Sequence, residues 1–203
     1  MQTYDLRLLV NGRTHDVRLP SNVTLLQTLR DLGYTDVKNG CEIGECGACA
    51  VLLDGQPVNS CMVLTVQADG ATITTNAGLG TVNEPHVIQE AFADAGAVQC
   101  GFCTSGMVIA TKALLDMNAD PSEEEIRNAL SGNLCRCTGY GQIISAVRLA
   151  AERLRDLPLC AASSRSEDAS SLREEGREPD SSNRLLVSDG NAPSQDDTTR
   201  GGE

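Results

Sequence analysis

Residues 41–49 read CEIGECGAC, and no other stretch of this 203-residue chain restricts its fold so tightly. Cys41, Cys46 and Cys49 are spaced C-x4-C-x2-C, with Gly44 and Gly47 between them, and Cys61 follows after eleven intervening residues. Three thiols drawn from nine residues must converge, so the segment has to be a tight loop. Its backbone must come close to whatever the thiols hold, and glycine permits both close approach and positive φ. The fourth thiol comes from a separate segment, which pins the loop to the structure beneath it.

The spacing is the one with which plant-type ferredoxins wrap a loop around a 2Fe–2S cluster. The nine cysteines support metal ligation over disulfides, because their number is odd and they fall in clustered motifs. The opening residues, MQTYDLRLLVNG, have neither the basic start nor the apolar run of a signal peptide. No apolar run approaches the roughly 18 residues of a membrane span. A cytoplasmic protein is therefore expected. The net charge of −12 argues against a nucleic-acid partner. With no Trp, three Tyr and two Phe, the core must be built from Val, Leu, Ile and Ala, and bound clusters would help hold it together.

Along the chain, residues 4–10 place Leu6, Leu8 and Val10 on one face of a strand, and Asn11-Gly12 is a two-residue hairpin turn leading to a strand over 13–19. Leu25, Leu26, Leu29 and Leu32 are at helical spacing, with Gly33 as the stop. Residues 50–53 and 57–61 form a second hairpin around Asp54-Gly55, and residues 71–75 a further strand. Two hairpins, one helix across them and a cysteine loop predict a β-grasp ferredoxin domain over residues 1–76. Residues 77–83, AGLGTVN, read as a connector without periodicity. Its glycines follow no βαβ pattern, so they make a poor nucleotide loop.

The pattern then changes to helices, expected over 87–95, 105–117, 121–130 and 140–157. Met107, Ala110, Leu114 and Met117 make one stripe, and Ile143, Ile144, Val147, Ala151 and Leu154 another. The third helix is expected to be capped by Asp120, with Pro121 at its first position and Glu123 completing a capping box. These four helices predict a small bundle domain over residues 84–158, and the fold class is α+β. The bundle has its own four cysteines, Cys100 and Cys103 in VQCGFC and Cys135 and Cys137 in NLCRCTGY. Both pairs fall in predicted loops that an antiparallel bundle can bring to one end. Four thiolates would close either a second iron–sulfur site or a structural zinc site. The zinc reading gives an alternative function, a stand-alone ferredoxin-like binding module. Residues 163–203 are acidic and Ser-rich, with LLV at 185–187 the sole apolar cluster, and predict a disordered tail. Cys160 belongs to neither set. The two histidines, His15 in a strand and His86 beside a helix start, are expected to be surface or packing residues.

Taken in order, CEIGECGACAV, VNSC, AVQCGFC and GNLCRCTGYGQI resemble the small iron–sulfur subunit of the molybdenum hydroxylases, the xanthine dehydrogenase family. The resemblance spans residues 4–157. It implies one 2Fe–2S cluster on Cys41, Cys46, Cys49 and Cys61 and a second on Cys100, Cys103, Cys135 and Cys137. It also implies a large partner subunit holding molybdopterin and the substrate pocket, and a medium subunit that often carries FAD, with FAD or another acceptor taking the electrons. Gln99 and Cys137 match positions that approach the pterin, so the second cluster is expected nearer molybdenum and the first nearer flavin. The implied role is an electron-transfer subunit with no catalytic residue of its own. Purines are the leading substrate for the complex, and carbon monoxide, nicotinate-type heterocycles, aldehydes and aromatic acyl-CoA are alternatives. One departure is visible: the family usually reads CGFCTPGM, and here Ser105 replaces the proline. Ser is expected to cap the helix in its place.

Overall fold

The computed structural model describes residues 2–156; the predicted tail and Cys160 lie outside the described residues. β1 (Thr3–Val10) and β2 (Arg13–Pro20) form an antiparallel hairpin. Its turn has φ of 50° at Asn11 and 76° at Gly12, the pair of positive values that a tight type I′ turn requires. α1 (Leu25–Asp31) begins at Thr24, whose hydroxyl accepts from the Gln27 amide at 3.3 Å. A second hairpin joins β3 (Ala50–Leu53) to β4 (Gln56–Asn59), and β5 (Thr72–Thr74) completes the sheet. The strand order is β2-β1-β5-β3-β4, with β1 and β5 parallel and the other pairs antiparallel. Leu25, Leu26 and Leu29 of α1 cover one face, burying Leu8, Val10, Val51 and Ile73. This is the expected β-grasp arrangement.

Three details differ from expectation. The return strand of the second hairpin stops at Asn59, and a 3₁₀ turn over Ser60–Met62 carries Cys61. A further 3₁₀ turn spans Thr65–Ala68. The supposed connector begins as one helical turn, α2 (Asn76–Leu79). Four residues are too few to show periodicity, and tertiary contacts hold the turn in place. The Asn11 side chain donates to Thr75 Oγ1 at 3.0 Å and accepts from the Thr75 amide at 2.9 Å. A β-carbon on Gly78 would collide with the Asn11 carboxamide.

α3 (Val87–Asp94), α4 (Thr104–Met117), α5 (Glu123–Leu130) and α6 (Gly141–Asp156) form the bundle. Its core includes Ile88, Phe92, Met107, Ile126, Ile143 and Val147. His86 caps α3, its Nδ1 accepting from the Ile88 amide at 3.2 Å. The cap of α5 is Ser122: its hydroxyl accepts from the Glu125 amide at 3.3 Å, and Glu125 accepts from the Ser122 amide at 2.7 Å. The expected cap, Asp120, pairs instead with Arg155 at 2.8 Å, so Pro121 precedes the cap. α4 departs from its one-stripe pattern. It is buried on nearly every side from Ser105 to Leu115, while Met117, expected on the stripe, is exposed. One side of α4 faces the bundle; Ile109 and Ala113 on the other pack against Leu52 of β3.

Candidate metal centres

The first cysteine set lies at the edge of the sheet domain. Cys49 enters β3, and Cys61 sits in the 3₁₀ turn after β4; both are buried. The Ser60 amide and hydroxyl both donate to the Cys49 carbonyl, at 3.3 and 2.8 Å, and tie the two segments together. Between Cys41 and Cys49 the chain turns through positive φ at Glu42, Gly44 and Gly47 (56°, 80° and 68°). Met62 covers Gly44, where a β-carbon would come within 2.8 Å of Met62 Cγ. The turns aim amides at sulfur. The Ile43, Cys46 and Glu45 amides hold the Cys41 thiol down to about 6. Burial, then the neighbouring Cys49, pushes Cys61 up to about 11.

The second set gathers at one end of the bundle, as predicted. Cys103 starts α4, Cys100 lies in the loop before it, and Cys135 and Cys137 lie between α5 and α6. Cys137 Sγ is 3.6 Å from Cys100 Sγ, and Cys103 and Cys135 interact through their thiols. Burial, with Cys135 beside it, raises Cys103 to about 12. Burial also pushes on Cys135, but the Thr138 hydroxyl and amide and the Cys137 amide outweigh it and bring that thiol to about 7. The Phe102 amide and the Cys137 side chain lower Cys100, and Cys100 raises Cys137.

Gln99, Cys100 and Cys137 are exposed, fringed by Phe102 at 48% and Leu134 at 55% exposure. Ser105 does not cap α4. Cys103 occupies that position, and Ser105 is buried in the first turn, 7% exposed, its hydroxyl without a hydrogen-bond partner among the described residues. Sequence reasoning missed Asn133, which is buried and donates to the Gly47 carbonyl at 3.1 Å. Beside it the Leu134 amide donates to the Cys46 carbonyl at 2.9 Å. No local pattern announces these bonds, because the partners are 86 residues apart or more.

All eight of these thiols are free, they stand as two sets of four, and loop amides approach the sulfurs of both. Such a set suits a group that bonds thiolates and accepts N–H···S hydrogen bonds, as a 2Fe–2S cluster does. A cysteine-looped mixed sheet followed by a four-thiol bundle is the architecture of a two-cluster iron–sulfur electron carrier.

Comparison with known proteins agrees. A family model described as "2Fe-2S iron-sulfur cluster binding domain" matches residues 8–76, and one described as "[2Fe-2S] binding domain" matches residues 75–148. The second match displaces structural zinc as the reading of the helical half. The nicotinate dehydrogenase small FeS subunit of Eubacterium barkeri is 51% identical over 154 residues, covering 75% of this chain and 98% of the relative. The xanthine dehydrogenase iron-sulfur-binding subunit of Escherichia coli O157:H7 is 42% identical over 151 residues, covering 72% and 93%. A chain in the crystal structure of quinoline 2-oxidoreductase from Pseudomonas putida 86 superposes with a TM-score of 0.72 at 40% identity, covering 76% of this chain and 98% of that one. The chain belongs to the family of small iron–sulfur subunits of the molybdenum hydroxylases. It is an electron-transfer subunit of an oxidoreductase with larger partner subunits. Among the described residues, no helix is long and apolar enough to cross a membrane.

Proposed function

We propose that this chain conducts electrons between a molybdopterin site on a large partner subunit and an acceptor, FAD on a medium subunit. Cys41, Cys46, Cys49 and Cys61 would hold one cluster, and Cys100, Cys103, Cys135 and Cys137 the other. A bound 2Fe–2S cluster takes up and releases one electron at a time. The chain's own contribution is to hold each cluster, exclude water from Cys49 and Cys61, and set each potential through amide donors and burial. The observation that carries this reading is the meeting of the two sites: the loop bearing Cys46 is hydrogen-bonded directly to the loop bearing Cys135.

Exposure of Gln99 and Cys137, with Phe102 and Leu134 around them, supports the second site as the one facing the molybdopterin subunit. For the complex, we favour a nitrogen heteroaromatic substrate, purine or nicotinate-type. The support is the nicotinate, xanthine and quinoline enzymes among its relatives. Eight free thiols support placement in the reducing cytoplasm.

The test is purification of the chain with the subunits that accompany it. About four irons per small subunit are expected, with oxidation of xanthine or nicotinate by the complex but not by the lone chain. Hydrogen exchange over residues 99–104 and 134–140 should slow when the large subunit binds. Protection confined to residues 41–49 would reverse the order of the clusters, and turnover of aldehydes alone would overturn the substrate class.

A further inference from the structure

Beside the thiol loops the two domains meet with little side chain between them. Gly47, in the first thiol loop, lies against Gly106 in the first turn of α4, where a β-carbon would collide with the Gly47 carbonyl. A β-carbon on Gly47 would in turn strike the Asn133 carboxamide. Phe102 reaches across the same boundary: a β-carbon on Gly40 would lie 3.6 Å from its ring and 2.9 Å from Cys46 Sγ. Into this contact the second loop sends two donors, the Leu134 amide to the Cys46 carbonyl and Asn133 Nδ2 to the Gly47 carbonyl. The Gly47 carbonyl also accepts from the Ala50 amide at 3.1 Å.

In a trans peptide the carbonyl and the following N–H point in opposite directions. Fixing the Cys46 and Gly47 carbonyls toward the helical domain therefore turns the Gly47 and Ala48 amides away from it, back into their own loop. Ala48 is 4% exposed, and among the described residues neither amide donates to a backbone or side-chain oxygen. A buried amide without an oxygen acceptor needs another partner. The flanking residues Cys46 and Cys49 supply sulfur.

We propose that Asn133, although it belongs to the loop of the second cluster, is a positioning residue for the first: by holding the Gly47 carbonyl it fixes the Ala48 amide as a hydrogen-bond donor toward that cluster, beside the Gly47 amide that Leu134 fixes through the Cys46 carbonyl. The first cluster's potential is then set partly from the neighbouring domain. N–H···S bonds favour the more negative, reduced cluster, so losing them lowers the potential. This inference rests on the assignment of Cys41, Cys46, Cys49 and Cys61 to the first cluster, which Cys46→Ser tests separately.

The experiment uses the full-length chain, iron-loaded and in its complex, with redox titration of the two spin-resonance signals. Cys46→Ser identifies the first-cluster signal as the one it removes, while the Cys135 signal stays. In Asn133→Ala the first-cluster reduction equilibrium should fall about tenfold, equivalent to 59 mV for one electron. The second should move much less, with iron content unchanged. If Asn133→Ala fails to load iron, Asn133→Ser, which is polar but too short to reach the Gly47 carbonyl, takes its place. An unmoved first-cluster potential, or a shift confined to the second cluster, would overturn the proposal. Retention of both signals in Cys46→Ser would overturn the ligand assignment, whatever Asn133 does, and this inference with it.

Discussion

The Tyr140 hydroxyl accepts a hydrogen bond from the Cys135 amide at 2.9 Å. The same hydroxyl donates to the Asn133 carbonyl at 3.0 Å, so one phenol closes the loop on both sides of Leu134. Tyr140 is held at φ 68°, a region in which a non-glycine residue needs local support. Tyr140→Phe leaves a partly buried amide and carbonyl without this partner, at about 1–3 kcal/mol. The expected result is several-fold faster iron loss from the second cluster to a chelator, with the first cluster's spin-resonance signal retained. Equal loss from both would show that the phenol supports the whole domain instead of one loop.

Thiol environments predict an order of modification in iron-free protein. The thiolate is the nucleophile, so a lowered pKa speeds alkylation at neutral pH and a raised one slows it. With values near 6 and 7, Cys41 and Cys135 carry much thiolate at pH 7; Cys61 and Cys103, near 11 and 12, carry almost none. Peptide mass spectrometry after brief iodoacetamide treatment should find Cys41 and Cys135 labelled first. Lowering the pH from 7 to 5 should slow both sharply. Equal labelling of all four would contradict the amide arrangement around the sulfurs.

Ser105 buries a hydroxyl that has no partner among the described residues, which carries a desolvation cost and no compensating bond. Ser105→Ala should raise stability by about 1 kcal/mol, read as a higher melting temperature, with iron content unchanged. Proline is tolerated in the first turn of a helix, so Ser105→Pro should also load both clusters. A drop in second-cluster iron in Ser105→Ala would mean that the hydroxyl serves the site.

Deletion of residues 164–203 should leave iron content and electron transfer unchanged. Both family matches end by residue 148, and a relative covered over 98% of its length uses only 75% of this chain. Failure of the truncated chain to assemble with a large subunit would make the tail a docking segment.

Much of this site was legible because its signals are local. Asn11-Gly12 and Asp54-Gly55 state their turn type outright, and both form it. The thiol sets announce themselves by spacing, and helical periodicity was enough to bring Cys100 and Cys103 opposite Cys135 and Cys137. The cap of α5 lies two residues from its expected place. The sequence reading puts it at Asp120, but Ser122 forms it with Glu125, and Asp120 pairs with Arg155, distant in the chain. Ser105 illustrates the converse: a residue that caps many helices is buried here because Cys103 already holds the cap position. Asn133 and Gly106 were invisible as junction residues, since what defines them is a carbonyl in another domain.

The burial of α4 on both sides has a consequence for how such a protein can be divided. Ile109 and Ala113 cover Leu52 of the sheet domain while Met107 and Leu114 fill the bundle. A cut between residues 76 and 87 falls after the first family match and before α3, yet each fragment would keep half of an apolar seam and lose the other half. A chimera joining the sheet domain of one relative to the bundle of another would need to exchange Leu52, Ile109 and Ala113 as a group. Recombination at the chain boundary of the two domains would be penalised even with every cysteine in place, because the seam at Leu52, Ile109 and Ala113 would be mismatched.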